Sequence, residues 1–251
     1  MPEAPWAALI EQRKTPGALT VEQLDALLAQ HPGDPILLWL RAAPPFWEQD
    51  WPGARAWIER AHAAGLEHAE FVLDRVEVLL SDPQVDVQTV SQLAQDAYGR
   101  LSDHPEHGPI IREQLFRALR EEGSEALKTG RPQRAKGLYA RALSLALGPD
   151  EVTRSHLSLG ITQLNLAQPQ AALTHLEAAA DAPDAGVRAR VASSAGTAWV
   201  RLSRADKAQA VLSQAIGTLE SGSPERAGLL EQKRALGAPV KRGKKGRKKR
   251  R

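Results

Sequence analysis

The sequence contains no cysteine. That excludes a disulfide framework, a thiolate zinc site, an iron–sulfur cluster and a cysteine nucleophile. No apolar run approaches the ~20 residues a membrane helix needs. There is no phosphate-cradling glycine-rich loop, no HExxH and no GxSxG. No catalytic residue, cofactor or metal is therefore expected. Aromatic residues are scarce at 4%, and alanine fills much of the 42% hydrophobic share. Small side chains in that proportion favour closely packed helices over a β-sandwich. Near the start, Glu3 stands where a signal peptide wants a base, and no long apolar stretch follows. This leads to the expectation of a cytoplasmic protein. Usage rich in alanine, leucine and arginine but poor in isoleucine and methionine resembles a GC-rich bacterial source.

Charge is unevenly placed. The chain of 251 residues has 33 bases and 30 acids, a net +3. Residues 241–251 hold nine of those bases and no acid: Lys241, Arg242, Lys244, Lys245, Arg247, Lys248, Lys249, Arg250 and Arg251. Without them 24 bases face 30 acids, so an acidic body precedes a basic end.

The body has helical periodicity and a repeat. Leu119, Ala126 and Leu127 recur at helical spacing, and Gly130-Arg131-Pro132 breaks the pattern. Ala135, Leu138, Tyr139, Ala142 and Leu143 resume it as far as Gly148-Pro149. A second copy places helices over 157–166 and 171–180, around the turn Ala167-Gln168-Pro169. A third places them over 191–202 and 208–219, around Ser203-Arg204-Ala205. Gly123, Gly160 and Gly196 fall mid-way along the first helices, 37 and 36 residues apart. Twelve residues after each glycine comes an alanine (Ala135, Ala172, Ala208). Four further on comes a large residue (Tyr139, Leu176, Leu212). Glycine costs about 1 kcal/mol in a helix interior. Three at one phase mark a place where two backbones approach too closely for a side chain.

This pattern resembles the tetratricopeptide repeat, a helical pair of about 34 residues. Leu159-Gly160 and Ala135-x-x-x-Tyr139 match its motif, and the likeness is best over 116–220. The resemblance implies an all-α, right-handed superhelical solenoid of antiparallel helix pairs. Residues 1–102 read as degenerate repeats and 103–115 as an inserted loop and helix start. Residues 116–236 read as the regular array with a capping helix over 225–236, and 237–251 as a disordered basic tail. Upstream, Pro44-Pro45 is expected to end one helix, and Pro52-Gly53 to keep the segment before Ala54 non-helical.

The resemblance also implies an inner face lined by the first helix of each pair. Its expected partner-contacting residues are Arg117, Arg120, Lys128, Arg154, Asn165, Arg190 and Arg201. The inner positions include no acid, which suits an acidic peptide or a terminal carboxylate. Trp39, Phe46, Trp47, Trp51 and Trp57 crowd one segment. Most are expected in the core, with Trp47 and Trp51 the exposed pair of an aromatic patch. His104 and His107 lack enough neighbouring ligands for a metal site. Ser155 and His156 are adjacent on a helix, so they do not face each other as a nucleophile and base.

The expectation is a non-enzymatic scaffold. It holds a protein or peptide on its concave face and is tethered by its tail to nucleic acid or another polyanion. The alternative is a sequence-nonspecific nucleic-acid binder that uses groove arginines and tail together. Self-association through the terminal repeats or the tryptophan segment is a third reading. For the tail, an import signal, a solubility role, an acidic membrane surface and a fold-back on Glu121, Glu122 and Glu125 also stay open.

Overall fold

The structure, a computed structural model, describes residues 5–237. The nine bases of 241–251 lie outside the described residues. Among the described residues all regular structure is helical, in fourteen α-helices. The chain divides into two compact units, 1–129 and 130–251.

The first unit contains α1 (Ala7–Gln12), α2 (Val21–Gln30), α3 (Pro35–Leu40), α4 (Ala43–Trp47), α5 (Trp51–Ala63), α6 (Ala69–Ser81), α7 (Val87–Leu101) and α8 (His107–Lys128). Helix α3 packs on α5, α6 on α7 and α8, and α7 along α8. Trp39, Ile58, Ala61, Phe71 and Val78 form one buried cluster, and Leu19, Leu24, Leu37 and Leu40 a second. Caps come from Thr20, Asp34, Asp50 and Asp86, whose side-chain oxygens accept first-turn backbone N–H groups.

The prolines correct one expectation. Pro44 and Pro45 do not keep their segment from being helical, because they sit in the first turn of α4. Pro52 sits in the first turn of α5. First-turn N–H groups have no intrahelical acceptor, so proline loses nothing there, and its fixed φ suits the helix. The same use recurs at Pro35, Pro132, Pro149 and Pro169. Helix α10 therefore begins at Pro149 instead of near Leu157. The region expected as an inserted loop narrows in the same way, since α8 starts at His107.

The second unit contains α9 (Pro132–Leu145), α10 (Pro149–Asn165), α11 (Pro169–Ala178), α12 (Ala185–Arg201), α13 (Ala205–Thr218) and α14 (Pro224–Gly237). Consecutive helices pack on one another, and α12 also lies against both α10 and α14. The glycine register has a direct physical reading here. A Cβ placed on Gly160 would stand 2.7 Å from Cγ and Cδ2 of Leu176 and 3.4 Å from the Ala172 carbonyl oxygen. On Gly196 it would stand 3.3 Å from the same atoms of Leu212. Leu176 and Leu212 are fully buried, as are Ala172 and Ala208. Each small residue on one helix thus receives the large residue of its partner.

The turns repeat as well. Gly130, Ala167 and Ser203 have φ of 71°, 57° and 60°, in the left-handed region. After α10 the Gln168 N–H donates to the Gln163 carbonyl at 2.9 Å. After α12 the Arg204 N–H donates to Trp199 at 2.9 Å. This six-to-one bond closes the helix end around a left-handed residue. Alanine and serine hold that conformation at a cost that glycine escapes.

Two opposite effects on stability follow, both readable by urea denaturation. Gly160→Ala lowers stability by about 1–2 kcal/mol, because the overpacking of Leu176 exceeds the gain in helix propensity. Ala167→Gly raises stability by about 0.5 kcal/mol, because relief of the left-handed backbone exceeds the added chain entropy.

Candidate functional site

Helix α12 is nearly surrounded by its neighbours. It buries Val187, Ala189, Val191, Ala192, Ala195, Gly196 and Ala198. Beyond its first turn the exposed residues are Arg190, Val200 and Arg201, with Ser193, Ser194, Thr197 and Trp199 half-exposed. Arg190, Ser193, Thr197, Val200 and Arg201 lie at intervals of three and four residues, so they share one face, and Trp199 lies on the opposite one. The stripe carries bases, hydroxyls and an apolar side chain, and no acid.

The arginines along the expected inner positions differ in what they are free to do. Arg190 is exposed and makes no hydrogen bond or ion pair among the described residues. Arg201 donates through Nη1 to the carbonyl of Leu164, on the last turn of α10. A cation there satisfies a terminal carbonyl and sits at the negative end of the helix dipole. Arg154 donates to Asp150 of its own helix at 2.6 Å. Asn165 turns its amide back to the Ile161 carbonyl at 3.1 Å.

In the first unit, Arg117 Nη1 lies 2.9 Å from both carboxylate oxygens of Glu77 on α6. Gln114 donates to the same carboxylate at 3.2 Å and to the Leu73 carbonyl at 3.0 Å. Partial burial raises the Glu121 carboxyl above its ordinary range. Arg117 pulls it down, Glu77 pushes it up, and Arg120 pulls it down. The Arg120 guanidinium lies 5.5 Å over the Phe116 ring, and Lys128 pairs with Glu125 at 3.6 Å. The expected acid-free surface is thus supplied with acids from beside it. Asp150 comes from the first turn of α10, and Glu77 from a neighbouring helix.

The tryptophans divide by environment. Trp39 is 2% exposed and donates to Asp74 at 2.9 Å. Trp57 packs on the first unit's core, with Arg41 and Arg60 at 4.9 and 4.1 Å from its ring centre. Trp47 is 40% exposed and donates to the Arg13 carbonyl at 3.0 Å. Trp51 is half-buried. The Phe46 ring lies edge-on to both, 5.2 Å from Trp47 and 5.6 Å from Trp51.

His104 Nδ1 accepts the backbone N–H groups of Glu106 and His107 at 3.3 Å, so it caps the start of α8. Ser155 donates to the Glu151 carbonyl at 2.8 Å. His156 faces His175 instead, Nδ1 to Nδ1 at 3.1 Å. Nothing in the local sequence announces that pair. The antiparallel crossing at Gly160 and Leu176 places the two rings together. Among the described residues no group of three or more acids and histidines is arranged to hold a metal ion. No helix there is long and apolar enough to cross a membrane.

The sequence matches no protein-family model. It matches no curated protein either. Among solved structures it is similar to BtubC (BKLC) from P. vanneervenii, with 14% identity and a TM-score of 0.53. That match covers 86% of this chain and 95% of the other. It is also similar to the apo form of RapI, with 12% identity and a TM-score of 0.57, over 92% of this chain and 67% of that one. The paired helices and their glycine–leucine crossings define an all-α protein of tandem helix-pair repeats. The fold is that of the tetratricopeptide repeat.

The histidine pair makes stability depend on pH. Desolvation lowers both pKa values, and His156 and Lys136 lower that of His175 further. A folded-state pKa below the unfolded one means the unfolded chain binds more protons as pH falls. Stability is therefore retained above about pH 6.5 and declines below it. The expected result is a lower urea midpoint at pH 5 than at pH 8, with the difference reduced in His175→Gln.

Proposed function

We propose that this chain is a protein-interaction scaffold that seats a polypeptide along the exposed stripe of α12, while residues 241–251 add attachment to a polyanion. The observation that carries this reading is the stripe itself. Helix α12 packs against four neighbours and keeps an open row of Arg190, Ser193, Thr197, Val200 and Arg201. A base beside hydroxyls and an apolar residue suits a segment with a carboxylate and an apolar side chain. Arg190 is the contact best placed to reach that carboxylate. Arg154 and Arg117, already paired, support the groove more than they grip a ligand.

The tail reading rests on nine bases in eleven residues. Six phosphate contacts on duplex nucleic acid give affinity that falls about 10³-fold between 50 and 200 mM salt. The ion pairs of Arg117 and Arg154 speak against the groove as the main phosphate surface.

One set of variants tests both statements. Captured proteins and a labelled nucleic acid duplex are measured against the full chain, Arg190→Glu with Val200→Asp, and a deletion of 241–251, with nuclease added in parallel. The stripe variant is expected to weaken the protein partner at least about tenfold, ~1.4 kcal/mol, and to leave duplex binding unchanged. The deletion is expected to do the reverse. Duplex binding that survives the deletion but is lost in Arg154→Glu with Arg190→Glu would make the groove the phosphate site and end the scaffold reading.

A further inference from the structure

In the second unit an open groove of about 700 Å³ runs between α12 and α14. Arg190 and Ser193 of the exposed row belong to its α12 wall, and Glu225, Gly228 and Glu231 to its α14 wall. Gly186 and Ala189 share the groove with Pro224 and Glu225. Further along, the Gln232 amide meets the Ser193 carbonyl at 3.0 Å and the Thr197 hydroxyl at 3.4 Å. The two helices therefore run in the same direction. Arg190, three residues before Ser193, stands level with the stretch between Glu225 and Glu231. A Cβ added at Gly228, within that stretch, meets nothing within 4 Å, so the groove is open there.

The walls differ in sign. Among the residues that line the groove, Arg190 is the one base, and Glu225 and Glu231 are the acids. All three are exposed, and none makes a side-chain hydrogen bond or ion pair among the described residues. These charges select the occupant. A wholly acidic segment satisfies Arg190 and is repelled by α14. A wholly basic one does the reverse, and residues 241–251 contain no acid to meet Arg190. In an extended chain successive side chains point to opposite sides, and alternate ones share a side roughly 6.5 Å apart. A base–acid–base sequence thus turns its acid to α12 and both bases to α14. The two glutamates stand about 9 Å apart along α14, and long basic side chains cover the difference.

We propose, resting on the scaffold reading of α12, that this groove receives an extended segment of a partner polypeptide in which one acidic residue is flanked by two basic ones. The acid pairs with Arg190, and the bases pair with Glu225 and Glu231. Helix α14 is then a wall of the binding site as well as the end of the array.

The test titrates the full chain at low ionic strength with a labelled Gly-Gly-Lys-Glu-Lys-Gly-Gly-amide peptide, read by fluorescence anisotropy. The same peptide with its centre reordered to Lys-Lys-Glu matches it in composition and net charge. The Lys-Glu-Lys peptide is expected to bind at least about fivefold more tightly, as three exposed charge pairs allow. Glu225→Lys with Glu231→Lys is expected to weaken it by at least that factor and to favour a Glu-Glu-Glu peptide instead. Gly228→Trp fills the groove where an added side chain meets no neighbour. It is expected to abolish binding with the circular dichroism unchanged, and it carries the test if the charge reversal melts α14. No saturable binding, equal binding of the two orders, or binding unchanged by Gly228→Trp overturns the proposal. Protein capture that is lost in Arg190→Glu with Val200→Asp but kept in the α14 variants leaves the scaffold reading standing and overturns this one. Capture unchanged in every variant ends both.

Discussion

Two helix backbones come within touching distance only where one of them has no side chain. In the second unit that constraint is met at Gly160 under Leu176 and at Gly196 under Leu212. The crossing fixes which helices pair and in what register, and so decides what the rest of each helix can bury. It costs helix propensity at each glycine, about 1 kcal/mol. The burial of a leucine against it returns about 1.5–3 kcal/mol. The exposed row on α12 is a by-product of the same arrangement. With α10, α11, α13 and α14 all packed on α12, the row from Arg190 to Arg201 stays open to solvent.

Two of the five arginines that the repeat pattern places on its inner positions tie neighbouring helices together. Arg201 closes the end of α10 from α12, and Arg117 joins α8 to α6 through Glu77. A guanidinium has enough donors to serve as such a clasp and still keep an edge in solvent. Structural and recognition roles therefore compete for the same side chains. Of the inner-position arginines in the second unit, Arg190 is the one without a partner among the described residues.

The sequence revealed the crossings because glycine, alanine and leucine recur at one phase, and phase is what a repeat preserves. It revealed the turns for the same reason. It misled at the prolines, since the same residue ends one helix and opens the next, and the difference lies in which N–H is needed. The short helices α1 and α4 were hidden because five or six residues carry too little periodicity. For the site, the residue types were legible and their engagements were not. Asp150 stands four residues before Arg154, at a spacing open to inspection. Glu77 stands 40 residues before Arg117 and meets it only because α6 packs on α8. The pairing of His156 with His175 belongs to the same class, set by a crossing and not by local sequence.

The closing helix has a mechanical meaning. Helix α14 buries one side chain, Leu229, and holds α12 through Gln232, whose amide donates to the Ser193 carbonyl at 3.0 Å. It is also the element directly before the segment that carries the nine bases. Among the described helices, α14 is the first that tension from that end reaches. Its neighbours α12 and α13 bury more of their side chains, so α14 yields ahead of them. Its departure would uncover Leu212, Ile216 and the Gly196 crossing in one step. A molecule held by that end would load the α14 joint before the crossings behind it.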